Sequence, residues 1–160
     1  MAQNLKGKIL LDVGCGKNVQ PGYIGMDKRK LPGVDIVHDI ENIPWPFEDG
    51  IVSLVLMSHI VEHIKPWLMI DVIDEAWRIL EKNGLLFIST PYGGGFRYYQ
   101  DPTHCCPWNE ATVEYFIPGC PLYEVYEPKP WQMEKRIWVV DADLEIAMRK
   151  ISNGNDKNIK

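Results

Sequence analysis

The sequence lacks features that would place the chain in a membrane or an oxidising compartment. It contains no run of roughly 18 consecutive apolar residues, the length that a membrane-spanning helix needs. Its start, Met1–Lys8, is polar and lacks the apolar core of a signal peptide. None of the four cysteines belongs to a C-x-x-C pair. We therefore expect a cytoplasmic protein with reduced thiols.

Positive charge is also scarce. The chain carries 17 lysines and arginines against 22 acidic residues, so its formal net charge is -5 at pH 7. Because no basic field attracts phosphates, a nucleic acid partner is disfavoured, and a small molecule or a glycan is the expected substrate.

Internal repeats and low-complexity tracts are absent as well. The 160 residues fit a single domain, which we place at residues 1–150, with a polar tail at 151–160. Nothing in the sequence indicates an oligomeric state.

The first half of the chain alternates apolar runs with turn signals, which is typical of the buried strands of a parallel sheet. The predicted strands are Lys8–Val13, Tyr23–Met26, Val34–His38, Ile51–Met57 and Leu85–Ser89. Ser58 is expected to cap a short helix through Ile64. From Pro66, apolar residues at spacings of three and four, including Trp67 and Trp77, predict a longer helix that ends before Asn83.

Beyond Pro91 the sequence predicts a long loop to Pro121 that covers the substrate, with one helix at Asn109–Phe116. Strands at Leu122–Glu127 and Asp143–Arg149 are expected to form an antiparallel edge. Residues 128–140 fit neither pattern.

These elements predict a Rossmann-like, doubly wound α/β fold with a mostly parallel sheet and an antiparallel C-terminal edge. The interval between Gly16 and Asp27 is too short for a full crossover connection, which needs about 10–12 residues or more including its helix. The first helix is therefore expected to be reduced to a turn or lost.

Glycines and acids follow the predicted strands, where a doubly wound sheet binds its ligands. Gly14 and Gly16 permit a close backbone approach to a ligand because they carry no Cβ. Asp27 can accept hydrogen bonds from two ribose hydroxyls, and Asp39 can accept one from an adenine amino group beside the apolar Ile40. Each feature alone is a common turn residue, but their order is specific.

Several segments together resemble class I S-adenosylmethionine-dependent methyltransferases, particularly the group known as methyltransferase type 11. The segments are Leu11–Gly16, Gly25–Asp27, His38–Ile40, Ser58–His63, Trp77–Leu86 and Asp101–His104. The resemblance covers roughly residues 7–92.

The resemblance implies roles for particular residues. S-adenosylmethionine would be the cofactor, with its methionine part held by the turn of Asp12, Gly14, Cys15 and Gly16. Asp27 would bind the ribose, Asp39 and Ile40 the adenine, and Ser58 and His59 the side near the sulfonium. Asn18 departs from the family pattern, which has a third glycine there.

A base would assist methyl transfer to an alcohol, and histidine suits that role near neutral pH. The candidates are His59, His63 and His104, and we favour His104 slightly because it lies in the predicted covering loop. Five aromatic residues of that loop either stack on the acceptor or close a core: Tyr92, Phe96, Tyr98, Tyr99 and Trp108.

Three other functions remain open. A non-catalytic binding module with the same fold is the main alternative. His59-Ile-Val-Glu-His63 fits the H-x-x-E-H pattern of some zinc hydrolases, but no third ligand is apparent, so we expect no metal site. A nicotinamide dehydrogenase is disfavoured because Val19 takes the place of its third glycine and Asp27 comes too soon.

Overall fold

The computed structural model of the protein describes residues 7–138 and 143–151. Most of the predicted polar tail, residues 152–160, and the start, residues 1–6, lie outside the described residues.

Seven strands form one sheet in the order β3-β2-β1-β4-β5-β7-β6. Their bounds are β1 Ile9–Val13, β2 Ile24–Asp27, β3 Ile36–Val37, β4 Val52–Ser58, β5 Leu80–Pro91, β6 Trp131–Trp138 and β7 Asp143–Lys150. The first five strands pair in parallel, whereas β7 runs antiparallel to β5 and to β6. The predicted Rossmann-like class, mostly parallel with an antiparallel edge, is confirmed.

The central strands are apolar because both faces of the sheet are covered. Leu11, Val55 and Leu86 of β1, β4 and β5 are fully buried. Helix α1, Met69–Ile79, packs a buried stripe that includes Val72 and Ile79 into the same core. Trp67, expected in that stripe, is instead exposed, and Trp77 is only half-buried.

Helices are fewer than a doubly wound fold usually has. Among residues 7–138 and 143–151, the α-helices are α1 and the short α2, Phe96–Tyr99. No helix lies between β1 and β2, as the short interval predicts. None of the described helices has the length and apolar character to cross a membrane.

The predicted helix Ser58–Ile64 is wrong. Ser58 pairs with Ser89 in the ladder of β4 and β5, and His59 then takes a positive φ of 53°. Only Val61–His63 forms a 3-10 turn, and no side chain caps it.

Two predictions in the second half are also wrong. Leu122–Glu127 contains a 3-10 turn at Tyr123–Val125 rather than a strand. The Tyr123 hydroxyl donates to the Pro128 carbonyl, which folds this segment back on itself. The edge strand is β6, within the ambiguous residues. Residues 109–116 form only a 3-10 turn, Thr112–Phe116, rather than an α-helix.

Candidate functional site

One cavity of about 500 Å³ opens at the carboxyl ends of β1, β2 and β4, within the size range of small-molecule sites. Of the residues expected in the site, Gly14, Asp27, Asp39, Ile40 and His59 line this cavity. The turn after β1 and both acids therefore face one space.

Gly14 allows two turns to meet at the cavity. It has a positive φ of 69°, and a Cβ there would lie 2.6 Å from Ile60 Cγ1. A larger residue would therefore push apart the turns that follow β1 and β4.

Asp27 ends β2 with a carboxylate that protein donors already surround. Oδ1 accepts from Arg29 N at 2.9 Å and from its Nε at 3.0 Å. Oδ2 accepts from Gly16 N at 2.9 Å and from Arg29 Nη2 at 3.3 Å. Burial raises the pKa of Asp27, but these hydrogen bonds outweigh it and hold the pKa below its ordinary value. The carboxylate is therefore ionised, and any further hydrogen-bond donor at these oxygens must compete with the Arg29 guanidinium.

The apolar wall at Ile40 is fixed from behind by Trp45. Trp45 Nε1 donates to the Ile40 carbonyl at 2.9 Å, and Trp45 N donates to Glu75 Oε1 of α1 at 2.6 Å. Asp39 Oδ1 accepts from Glu41 N at 3.1 Å, which shapes the adjoining turn. Asp39 and Ile40 thus lie on a wall that is anchored to α1.

Glu41 and Lys65 join two walls of the cavity at its rim. Lys65 N donates to Glu41 Oε1 at 2.9 Å, and the Lys65 ammonium pairs with the same carboxylate. Burial raises the pKa of Glu41, but the bonds from Lys65 outweigh it and lower the pKa. The pair connects the Asp39 turn to the turn after β4.

Four residues expected to bind the cofactor do not line the cavity: Asp12, Cys15, Gly16 and Ser58. Asp12 Oδ2 accepts from Gln20 N at 2.9 Å, so this carboxylate shapes the loop between β1 and β2. Burial raises the pKa of Asp12. Burial and nearby carboxylates raise the pKa of the Cys15 thiol to about 11. Gly16 takes part in the site through its backbone N, which donates a hydrogen bond to Asp27 Oδ2.

His59 lies half-exposed at the cavity between two acids. Its Nδ1 is 3.5 Å from Glu62 Oε1, and its Nε2 is 3.5 Å from Asp143 Oδ2. The Glu62 carboxylate raises the pKa of His59 against the effect of burial. Both carboxylates stabilise the imidazolium that forms when His59 takes up a proton.

His104 is more deeply buried than we expect for a base in a loop that covers the substrate. Its side chain is 7% exposed, and its Nδ1 is 2.7 Å from the Tyr98 carbonyl oxygen. Its ring contacts that of His63, with centroids 4.7 Å apart. Of these two histidines, His63 lines the cavity.

Four of the five aromatic residues of the long loop divide into two groups, and the fifth, Tyr92, is half-buried with its hydroxyl donating to Glu110 Oε2 at 3.0 Å. Trp108 is fully buried and stacks on Phe116, and Tyr98 is also buried, so these residues close a core. Phe96 and Tyr99 of α2 are instead 80% and 73% exposed. Only this second group is free to contact an acceptor.

Sequence reasoning missed several residues of the site. Arg29, Glu41, Lys65 and Thr103 line the cavity, yet no role was assigned to them. Arg29 and Glu41 follow the predicted ligands Asp27 and Ile40 closely in sequence, which is the signal that was available for them.

Comparisons with known proteins agree with this fold. A family model described as a methyltransferase domain matches residues 1–115. A probable S-adenosylmethionine-dependent methyltransferase of Mycolicibacterium smegmatis is 28% identical over 109 residues, covering 57% of this chain and 41% of that protein. The chain thus spans less than half the length of that relative.

Solved structures share the architecture. An S-adenosylmethionine-dependent methyltransferase from Archaeoglobus fulgidus has a TM-score of 0.65 at 16% identity, with 91% of this chain and 88% of that chain covered. The N-methyltransferase NodS of Bradyrhizobium japonicum, in complex with S-adenosyl-L-homocysteine, has a TM-score of 0.62 at 14% identity, covering 92% and 81%. At these identities the likeness shows the fold alone.

The family match covers most of the chain, and the protein therefore belongs to the methyltransferase domain family. The methyltransferase family that the sequence predicts is thereby confirmed, and the relative's printed name gives S-adenosylmethionine as the methyl donor of that protein.

Proposed function

We propose that this protein transfers the methyl group of S-adenosylmethionine to a hydroxyl oxygen of a small molecule or glycan in the cytoplasm. The observation that carries the proposal is the meeting of Gly14, Asp27, Asp39 and His59 at one cavity. Asp27 offers an ionised carboxylate to a ribose, and Asp39 with Ile40 offers an acceptor and an apolar wall to an adenine.

The chain's own residues position the reactants and receive the proton. In the transfer, the acceptor oxygen bonds to the methyl carbon, the carbon–sulfur bond breaks with its electron pair remaining on sulfur, and the acceptor loses a proton. We assign that proton to His59 because its ring lies at the cavity with Glu62 and Asp143 on either side.

The acceptor is proposed to lie beside α2. Arg97 Nη1 is 3.8 Å from Asp143 Oδ1, so this short helix adjoins the acid that contacts His59. The exposed rings of Phe96 and Tyr99 suit a flat or sugar-like molecule. The net charge of -5 supports an acceptor other than a nucleic acid.

Calorimetric titration with S-adenosylhomocysteine tests the cofactor assignment. We expect one-to-one binding, no response to NAD, and loss of binding in Asp27→Ala. Asp71→Ala is the matched control, because Asp71 is an exposed aspartate of α1 outside this cavity. Unchanged affinity in Asp27→Ala would rule out the ribose assignment.

Turnover tests the role of His59. Release of S-adenosylhomocysteine with a panel of catechols, phenols and sugars identifies an acceptor. With that acceptor, His59→Gln should lower kcat by about 100-fold or more, the usual contribution of a general base. Its affinity for S-adenosylhomocysteine should not change, and an unaltered kcat would exclude His59 as the base.

The alternative is a module that binds the cofactor without catalysis. The Arg29 pair with Asp27 bears on cofactor affinity under both functions, so only turnover separates them. A binding module would bind S-adenosylhomocysteine without releasing product from any acceptor of the panel. The turnover assay therefore separates this alternative from the enzyme.

A further inference from the structure

A second cluster of polar side chains lies beside the cavity, where the long loop meets the turn after β4. The Glu62 carbonyl accepts hydrogen bonds from Cys105 N at 2.9 Å and from Cys106 N at 3.0 Å. These bonds bring His104 next to Glu62 and His63. One potential ligand atom of each of the three residues lies within 4.8 Å of the others.

The Glu62 carboxylate is buried and only half satisfied. The residue is 1% exposed, and its Oε2 accepts from the Thr90 hydroxyl at 3.1 Å. Its Oε1 is buried without a hydrogen-bond partner among the described residues. His59 Nδ1 and His104 Nε2 face this oxygen from 3.5 Å and 4.0 Å, beyond good hydrogen-bond geometry. A buried carboxylate oxygen without a partner is costly, and a bound cation would remove the cost.

The histidines are held so that each keeps one nitrogen for a ligand. His104 Nδ1 lies 2.7 Å from the Tyr98 carbonyl oxygen, which can only accept, so Nδ1 donates. His104 Nε2 then lies between two acids, 4.0 Å from Glu62 Oε1 and 3.8 Å from Asp101 Oδ2. The Thr103 hydroxyl donates to Asp101 Oδ1, so at 3.1 Å it accepts from His63 Nδ1. Both rings thus have the outer-shell hydrogen bonds that orient metal-binding histidines.

The geometry points to a binding site for a divalent transition metal ion, held by Glu62, His63 and His104. Two imidazoles and one carboxylate suit zinc and its neighbours, and they leave coordination positions open. Ligand atoms about 2.0–2.2 Å from one tetrahedral ion lie about 3.3–3.6 Å apart, so binding requires these side chains to draw together by up to about 1.5 Å.

This site differs both from the expectation that the protein has no metal site and from the zinc hydrolase pattern of the H-x-x-E-H segment. No metal is expected from the sequence, because a third ligand is not apparent near the H-x-x-E-H segment. Here His104, 41 positions after His63, completes the set, and His59 lies outside it. The segment does not form the helix that the zinc hydrolase pattern requires.

A role for the ion in methyl transfer rests on the proposed function. His63 and Thr103 line the cavity, so an ion at this cluster would lie in its wall. There it would hold the acceptor hydroxyl and lower the pKa of that hydroxyl, as a bound metal does for water.

Metal titration of the purified chain, after treatment with a chelator, tests the site without cofactor or acceptor. We expect one equivalent of Zn²⁺ to bind by calorimetry and Co²⁺ to give visible absorption bands. Mg²⁺, which prefers oxygen ligands, should bind far more weakly. A chain that binds neither Zn²⁺ nor Co²⁺ would show that the cluster is an ionic network only.

Variants locate the ion. His63→Ala, His104→Ala and Glu62→Gln should each weaken Zn²⁺ binding more than tenfold, since loss of an outer-shell partner alone costs about 10–100-fold. His38→Ala is the matched control, because His38 bonds to Asn42 O outside the cluster. Circular dichroism checks that each variant folds, and the half-buried His63 is the ligand whose removal disturbs the core least.

Cysteine is the competing ligand, because Cys105 is exposed next to His104. Cys105→Ser should keep full affinity, and the Co²⁺ complex should lack the near-ultraviolet charge-transfer band of a thiolate. Loss of binding in Cys105→Ser, or full binding in all three cluster variants, would overturn the proposed site. Because S-adenosylhomocysteine binding is measured separately, failure of either proposal leaves the other testable.

Discussion

At the scale of single residues, Asp27 shows a carboxylate that protein donors already hold and that a ribose would share under the proposed function. Its four hydrogen bonds from Arg29 and Gly16 keep it charged and oriented before anything binds. The Arg29 side chain is mostly exposed, so water can take over its solvation if it moves away. The ion pair thus keeps the Asp27 carboxylate charged and oriented, but a ligand that binds this carboxylate must compete with Arg29.

Arg29→Ala should therefore tighten the binding of S-adenosylhomocysteine. The Arg29 guanidinium is largely exposed to solvent, so its attraction to Asp27 is weak and the gain should stay within about fivefold. Calorimetry measures the change. Lys28→Ala, which removes a neighbouring cation of the cavity and keeps the Arg29 pair, is the control. Weaker binding in Arg29→Ala would mean that the guanidinium contacts the ligand itself.

Asp12 links stability to pH. Burial raises its pKa in the folded chain more than the bond from Gln20 N lowers it. Below the unfolded-state pKa, Asp12 is neutral in both states and its contribution to stability is fully present. As the pH rises through the folded-state pKa, the buried carboxyl ionises and that contribution is lost. Asp12→Asn keeps an oxygen for Gln20 and removes the charge.

We expect Asp12→Asn to raise the free energy of unfolding at pH 7. The gain should shrink as the pH falls towards about 3.9, the ordinary pKa of aspartate. Urea unfolding across this range measures it, with Asp71→Asn as an exposed control. A gain that does not depend on pH would show that the charge of Asp12 is not its cause.

At the scale of elements, the strands that the sequence predicts well are those buried on both faces. β1 and β4 appear as continuous apolar runs because the parallel sheet leaves neither face to water. β6 was missed because three consecutive charged residues, Glu134, Lys135 and Arg136, interrupt its pattern. An edge strand with a register shift between Met133 and Lys135 accommodates them.

Trp45 shows that a residue outside the helices and strands can contribute as much to the stability of the core as a strand residue does. It lies between two prolines, is 2% exposed and holds the Ile40 carbonyl. Trp45→Ala should cost about 3–5 kcal/mol of stability, as for other buried large side chains. Trp67→Ala should change stability by less than about 0.5 kcal/mol, because Trp67 is 74% exposed. Urea unfolding of both variants measures the difference, and equal costs would contradict the anchoring role.

At the scale of the whole molecule, the position of the site was predictable but its composition was only partly so. Gly14, Asp27 and Asp39 converge because parallel strands end at one edge of the sheet. The contact of His104 with Glu62 depends instead on how a long loop packs through Trp108, which no local pattern reveals. Arg29 and Lys65 are ordinary surface residues in sequence. Arg29 gains its role by pairing with Asp27 within the same turn, and Lys65 by pairing with Glu41 of a distant turn.

The cavity joins turns from distant parts of the chain, so a ligand in it should stabilise those turns together. They follow β1 at Gly14, β2 at Asp27, β3 at Asp39 and β4 at His59. S-adenosylhomocysteine at 100 times its dissociation constant should raise the free energy of unfolding by about 2.7 kcal/mol.

Hydrogen exchange with and without the ligand locates that effect. Amides of residues 14–16, 39–42 and 60–65 should gain protection by local closure, whereas the exposed turn Tyr123–Val125, which lies outside the cavity, should not. NAD at the same concentration should change neither set. If the ligand protected only the turn Tyr123–Val125, or if NAD protected the cavity turns equally, the adenosine-binding role of this edge of the sheet would be wrong.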